Sequence, residues 1–159
     1  MSDELRLFAD YYQIHVFDEG STSDLGEAWT DDTDMLAVAE DAVAVGTVVN
    51  VWVRVAVEVL ERSPVDDSAD FDDVAEASIE VRSGRLIVMG CTDYEPEATR
   101  FPVPPGWLRV RVAKSNLEVA RRLDLDSDDD PATMERLRIQ VWPMAAVPVV
   151  VVKRWSQAG

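Results

Sequence analysis

Apolar and polar residues alternate along several stretches of this chain with the two-residue period of a half-buried β-strand. The clearest stretch runs from Val43 to Leu60. Every second residue from Val51 to Val59 is valine there, and the residues between them are larger or polar, apart from one alanine. This pattern predicts a long strand, bent near Gly46, with one face on the core.

A similar alternation opens the chain over Tyr11–Asp18 and predicts a strand with one apolar face. The acidic and polar residues that follow it are typical of a loop, with room for one short helical turn near Trp29. The two faces of the predicted strand are Tyr12, Ile14 and Val16 on the apolar side and Gln13, His15 and Phe17 on the other.

Glycine and proline mark two tight turns between later strands. Gly84 supplies the positive φ of a two-residue turn, so we expect a hairpin around Arg82–Arg85. A proline pair followed by Gly106 predicts a second turn. The strands predicted around these turns are Ser78–Val81, Leu86–Met89, Arg100–Val103 and Trp107–Val112.

The last third of the chain combines a short helix with two strands. Ser115 and Glu118 stand at the spacing of a capping box, which predicts about two turns of helix after Ser115. Leu137–Trp142 alternates as a strand does, and Val147–Val152 is apolar on both faces, as a covered strand would be.

About eight strands at hairpin spacing, with little helix between them, predict a mostly β fold, specifically an antiparallel β-sandwich with one or two short helices. The 159 residues suit one domain, and no repeat or linker divides them. We therefore expect a single β-sandwich domain over residues 1–159.

The chain is strongly acidic, with 15 Lys and Arg against 31 Asp and Glu and a formal net charge of −16. Direct binding of nucleic acid is not expected, because that binding depends on cationic side chains that neutralise phosphates. A basic protein is the natural partner, and an acidic surface can compete for the basic cleft of a nuclease. Alternatively, the charge serves only solubility.

Two acidic runs lie between predicted strands and read as exposed loops. If a partner is bound, we expect the first run to contact it and the second to assist; the alternative is that both are solvated loops without a partner. The predicted contacts are Asp66, Asp67, Asp70, Asp72 and Asp73 in the first run, and Asp126, Asp128, Asp129 and Asp130 in the second.

No catalytic, cofactor or metal motif is evident. His15 is the only histidine and Cys91 the only cysteine, so a surface histidine and an inert buried thiol are expected rather than a catalytic pair. The second acidic run lacks the glycine and closing glutamate of a calcium loop. The tryptophans are expected to fill the core or cover sheet ends rather than form a binding platform.

The cysteine count and the lengths of the apolar runs bear on the cellular compartment of the chain. A single cysteine favours a reducing compartment, and no apolar run reaches the roughly 20 residues of a membrane helix. We expect a cytoplasmic protein without a signal peptide or membrane partner.

The chain contains, in this order, the four short stretches Tyr12–Phe17, Trp29–Asp32, Ala39–Val45 and Phe101–Gly106. These stretches resemble the family of competence-nuclease inhibitors, small acidic bacterial proteins that bind and block a nuclease of DNA uptake. They span about two-thirds of the chain, which departs from the family in longer acidic insertions around 66–73 and 124–130. The resemblance implies a non-enzymatic domain that occupies another protein.

Three functions therefore remain open. The first is an acidic inhibitor or immunity-type partner of a basic enzyme such as a nuclease. The second is a small-molecule-binding or hydrolytic sandwich, with a pocket built from scattered residues such as His15, Cys91 and Trp52. The third is a structural homo-oligomer joined through an exposed strand edge.

Overall fold

The computed structural model of this chain describes residues 2–29, 35–123 and 130–156. Within these residues, eleven strands, one α-helix and several short 3-10 turns are formed. The elements are β1 (Ser2–Phe8), β2 (Gln13–Asp18), β3 (Leu36–Val38), β4 (Ala42–Gly46), β5 (Trp52–Val59), β6 (Asp73–Val81), β7 (Arg85–Gly90), β8 (Thr99–Pro102), β9 (Gly106–Ser115), α1 (Leu117–Leu123), β10 (Arg136–Pro143) and β11 (Val150–Lys153).

The strands form two sheets packed around a shared apolar core, which confirms the predicted mostly β sandwich. The larger sheet has the order β1-β5-β10-β9-β6-β11 and the smaller one β3-β4-β2-β7-β8. The paired strands are antiparallel except for β5 and β10, which run parallel. Valine, leucine and isoleucine from both sheets fill the space between them and are almost fully buried.

The predicted long strand from Val43 to Leu60 is instead two strands in different sheets. β4 ends at Gly46 in the smaller sheet, and β5 begins at Trp52 in the larger one. The valines of both halves are buried in the same core, so folding the chain between the sheets packs them against each other. Two backbone hydrogen bonds hold this crossing, from Thr47 N to Tyr12 O at 2.9 Å and from Ala9 N to Val51 O at 2.9 Å.

The predicted hairpin at Arg82–Arg85 is wrong in its pairing, although Gly84 does have a positive φ of 73°. β6 pairs with β9 and β11, whereas β7 pairs with β2 and β8. The reason lies on β2, where the buried Asp18 carboxylate accepts hydrogen bonds from Arg82 N and Ser83 N, both at 3.2 Å. This carboxylate ties the turn to the smaller sheet, so the chain changes sheets there. The turn before Gly106 likewise links β8 to β9 across the sandwich.

The first predicted strand is shorter than the alternation suggests. β2 begins at Gln13, and its Ile14 and Val16 are fully buried as expected. The alternation predicts Tyr12 on the same apolar face, but Tyr12 lies in a 3-10 turn (Asp10–Tyr12) with a φ of 59° and is 48% exposed. The change to a left-handed backbone before Gln13 turns this ring away from the core.

The predicted helix is confirmed as α1, but its cap is not the one expected. Leu117 N donates to the Asp72 carboxylate at 3.1 Å, and Asn116 precedes the helix with a φ of 62°. The last strand is also corrected. β11 lies at the edge of the larger sheet beside β6, and its Val150 and Val152 are exposed.

Candidate partner-binding surfaces

The first predicted acidic run lies in residues 60–72, called the acidic loop below, on the outer face of the larger sheet. Its central contact is a two-pronged ion pair, in which Arg138 of β10 donates to both Asp67 oxygens at 2.7 and 2.8 Å. The Arg138 guanidinium also lies over the Phe71 ring at 4.4 Å from its centroid. Hydrogen bonding to Arg138 holds the pKa of Asp67 below its usual range, so this carboxylate is ionised and attached to the sheet.

Other carboxylates of the acidic loop serve local structure. Asp66 accepts from Ser68 N at 2.9 Å, and this bond lowers the pKa of Asp66. Asp72 caps α1 through Leu117 N. Asp70 is exposed, and within the described chain its side chain makes no hydrogen bond or ion pair. The acidic loop thus mixes solvent-facing charges with charges that hold it in place.

Asp73 differs from the rest because it lies inside the protein as the first residue of β6. It is 3% exposed, accepts from Trp155 N at 3.1 Å and is paired in register with Lys114 of β9. Lys114 is also buried and donates to Gly46 O at 2.7 Å. The Asp73 carboxylate therefore lies in the interior, where it accepts from a backbone N–H, rather than in solvent.

Glu135 completes this buried group of charges. It is fully buried, and its carboxylate accepts from Val48 N at 2.7 Å. Burial is the largest cause of a pKa of about 7, which the nearby Lys114 charge and the Val48 hydrogen bond oppose. Sequence reasoning missed Glu135, because one acid next to an alternating strand carries no local sign of burial.

The second predicted acidic run is described only at its end. Asp126, Asp128 and Asp129 lie outside the described residues. Asp130 is exposed and forms the turn anticipated before Met134, since its carboxylate accepts from Ala132 N at 3.0 Å.

A different surface, which the sequence analysis did not single out, lies at one end of the smaller sheet. It consists of residues 10–12 before β2 and 91–97 after β7, and is called the tyrosine end below. β2 and β7 are antiparallel, with Ile14 opposite Gly90, so the start of one and the end of the other meet. The Thr92 hydroxyl donates to the Asp10 carboxylate at 2.9 Å and joins the two segments.

All three tyrosines of the chain lie at the tyrosine end and are exposed. Tyr11 and Tyr94 are each 69% exposed. Tyr11 and Tyr12 are consecutive non-glycine residues with positive φ, at 56° and 59°. The sequence does contain one sign that these tyrosines are exposed. Both tyrosine segments contain acidic residues next to tyrosine, as in Asp93-Tyr94-Glu95.

The residues considered for a hydrolytic pocket do not form a reactive pair. Nε2 of His15 lies 2.7 Å from Gln13 Oε1, and burial lowers the pKa of His15. The Cys91 thiol donates to Asp10 O at 3.3 Å, and burial raises its pKa, which disfavours a reactive thiolate. Trp52 lies on the other sheet, where Arg6 stacks on its ring.

The space between the sheets holds tightly packed apolar side chains rather than a ligand pocket, within the part of the chain that is described. A shallow groove of about 330 Å³ does cross the outer face of the smaller sheet, lined by His15, Phe17, Leu25 and Met89 among others. In residues 2–29, 35–123 and 130–156, no three His, Cys, Asp or Glu side chains are grouped as metal ligands.

No helix in those same ranges is both long and apolar enough to cross a membrane. The tryptophans do not form one platform. Trp142 is buried on the outer face of the larger sheet beneath Arg111, and Trp29 is 37% exposed beside β3.

Comparison with known proteins identifies two solved structures with this fold. The crystal structure of ComJ, inhibitor of the DNA degrading activity of NucA, from Bacillus subtilis, matches 89% of this chain and 96% of its own, with a TM-score of 0.65 and 16% identity. Crocagin biosynthetic gene J matches 90% of this chain and 97% of its own, with a TM-score of 0.59 and 22% identity. No protein-family model matches, and no curated protein matches by sequence. The likeness shows a shared fold and supports the predicted resemblance to nuclease inhibitors at that level.

Proposed function

We propose that this chain is a stoichiometric inhibitor, or an immunity-type partner, of a basic enzyme, and that a nuclease is the first candidate. The observation that carries the proposal is the fold shared with ComJ along 89% of the chain. Since ComJ inhibits the DNA-degrading activity of NucA, a protein-binding role is the function that this likeness favours.

The charge of the chain supports the same proposal. A nuclease must hold DNA phosphates with lysine and arginine, so its cleft is cationic. A protein with a formal net charge of −16 is attracted to such a cleft, and attraction of this kind speeds association. We place the encounter in the cytoplasm, as the single cysteine led us to expect.

The predicted aspartate contacts divide by their exposure. Asp66, Asp70 and Asp130 face solvent and are proposed as direct contacts. Asp126, Asp128 and Asp129 are proposed from the sequence alone. Asp67 and Asp72 are proposed to act mainly by holding the acidic loop in place, and the buried Asp73 only through the fold.

The test is titration calorimetry of the purified chain against each nuclease encoded in the same genome, purified individually, across a salt series. We expect one nuclease to bind one-to-one and lose DNA-degrading activity in proportion to occupancy. The Kd should rise with salt, because the attraction between exposed charges is screened. Light scattering on the same samples gives the stoichiometry and tests self-association of the chain alone.

Absence of binding to every nuclease at low salt would contradict the proposal. Binding without loss of nuclease activity would support the proposed basic partner but contradict the proposed inhibition. A chain that is a stable oligomer by itself and binds no nuclease would favour the structural homo-oligomer instead.

A further inference from the structure

The three tyrosine rings at the tyrosine end are all exposed. Tyrosine carries a large apolar ring and is ordinarily at least half buried. Here Tyr11 and Tyr94 are each 69% exposed and Tyr12 is 48% exposed. Exposed tyrosines concentrated on one surface are typical of protein interfaces, where the ring packs and the hydroxyl hydrogen-bonds.

The backbone that presents these rings is held at several points. Tyr12 N donates to Ala9 O at 3.0 Å, and Tyr12 O accepts from Thr47 N at 2.9 Å. Tyr11 N donates to the Asp10 carboxylate at 3.1 Å. A fixed backbone lowers the entropy lost on binding, since only the side chains remain to be ordered.

The second segment is held in the same way. Gly90 N donates to the Asp93 carboxylate at 2.8 Å, and Asp93 N donates to Gly90 O at 3.0 Å. These bonds close the turn that carries Tyr94, and the Thr92–Asp10 bond attaches it to the first segment.

The charged residues of the tyrosine end are all acidic. Residues 10–12 and 91–97 contain four carboxylates and no lysine or arginine. The nearby Arg100 forms an ion pair with Glu19, with 2.7 Å between Nε and the carboxylate, and its guanidinium lies 4.0 Å from the Glu95 carboxylate. Such a surface attracts a cationic partner and repels an acidic one. The four carboxylates are Asp10, Asp93, Glu95 and Glu97.

A cleft of about 320 Å³ adjoins Tyr94. Leu5 and Leu7 of β1 provide apolar walls, while Asp93 and Glu97 line the side nearest Tyr94. Arg6 also lines the cleft, but its guanidinium lies over the Trp52 ring at 3.8 Å. Apolar walls with acidic groups suit an arginine or lysine, whose stem is apolar and whose head is cationic.

From these observations we propose that the tyrosine end is the principal contact surface for the basic partner, with partner arginine or lysine side chains packed on the tyrosine rings and seated beside Tyr94. The inference rests on the proposed function. It differs from the sequence-based expectation, which gave the leading contact to the acidic loop. A cation over a tyrosine face gains from the ring as well as from nearby carboxylates.

The experiment uses the nuclease that the calorimetric series identifies, with the full-length chain as wild type and as Y12A, Y94A and the double variant. We expect each single variant to raise the Kd at least about tenfold and the double variant more, as for aromatic hot spots. Y94F keeps the ring and should bind close to wild type. V65A is the control, because Val65 is an exposed apolar residue on the acidic loop.

Two further measurements do not depend on the tyrosine variants. Hydrogen exchange of the wild-type complex should show new protection at residues 10–12 and 91–97. The double variant E95Q/E97Q should weaken the dependence of Kd on salt, because fewer charges are then paired on binding.

The outcomes separate the two proposals. If the wild type binds none of the nucleases, the proposed function fails and this inference fails with it. If the wild type binds but Y12A/Y94A binds equally well, and protection appears at residues 60–72 instead, the inference is overturned while the proposed function stands.

Discussion

The acidic loop and the tyrosine end are both rich in carboxylates, with five in residues 60–72 and four in residues 10–12 and 91–97. Their surroundings differ. In the acidic loop, Asp67 is bound by Arg138 and Asp72 caps α1, so much of the charge connects the loop to the sheet and helix behind it. At the tyrosine end, Asp10 and Asp93 bind local backbone and hydroxyl groups, and the adjoining tyrosine rings face solvent.

This comparison teaches that carboxylate density does not by itself identify a contact surface. A carboxylate paired with arginine has already lost part of its hydration and satisfied its hydrogen bonds, so it has less to gain from a partner. At the tyrosine end the exposed rings still have apolar area to bury, and the neighbouring Asp10 and Asp93 carboxylates accept from local N–H and hydroxyl groups. The following predictions test this division, beginning in the interior next to Asp73 and ending at the tyrosine rings.

The largest effect is expected at Glu135, which lies with Lys114 and Asp73 behind the acidic loop. Its pKa is about 7 in the folded protein against an ordinary value of 4.5. As the pH rises from 4.5 to 7, the unfolded chain releases this proton first, so the free energy of unfolding falls. The loss amounts to about 3 kcal/mol, since each pKa unit is worth about 1.4 kcal/mol.

E135Q removes this titration while keeping an oxygen to accept from Val48 N. We expect the stability of E135Q relative to wild type to rise by about 3 kcal/mol between pH 4 and pH 8, measured by urea unfolding. A difference that stays constant across this range would show that Glu135 titrates normally and that the interior behind the acidic loop carries no charge penalty.

A smaller effect is expected at the Asp67–Arg138 ion pair. D67A removes a two-pronged hydrogen bond to a partly buried arginine and should lower the free energy of unfolding by about 1 kcal/mol, because solvent screens the pair in part. D70A is the matched control on the same loop, since Asp70 is exposed, and it should change stability by no more than about 0.5 kcal/mol. Equal changes in the free energy of unfolding for D67A and D70A would contradict the division of the loop's carboxylates into structural and solvent-facing ones.

Strands such as β2 and β5 could be predicted from the sequence, because the alternation of apolar and polar residues is a local property. Ile14 and Val16 of β2 and Val53, Val55 and Val57 of β5 are buried, as the two-residue period predicts. Sheet membership is not local. Whether the Gly84 turn forms a hairpin or a crossing between sheets depends on the Asp18 carboxylate, 64 residues away from Arg82 in sequence.

The candidate surfaces were only partly predictable for the same reason. Net charge and the position of the acidic loop could be read directly, but the Asp67–Arg138 pair joins residues 71 apart. Tyr12 fitted the apolar alternation. No pattern of residue types predicts that two consecutive tyrosines have a positive φ. The tyrosine end therefore emerges only when β2 and β7 are brought together.

The smallest effect on stability is expected at the tyrosines themselves. Y94A removes a ring that is mostly in solvent, so the free energy of unfolding should change by no more than about 0.5 kcal/mol in urea unfolding. The same substitution is expected to weaken partner binding at least about tenfold. F101A is the contrasting control, because Phe101 is 2% exposed in the core and its removal should cost about 3 kcal/mol or more.

A large loss of stability in Y94A would mean that the ring supports the 91–97 segment, and the contrast with the acidic loop would disappear. A small loss would distinguish surface side chains that stabilise this fold from those that are free to bind a partner. Asp67 would then be a residue whose charge stabilises the fold, and Tyr94 one whose ring lies in water and adds little to stability. An exposed ring that adds little to folding is best explained by what it binds.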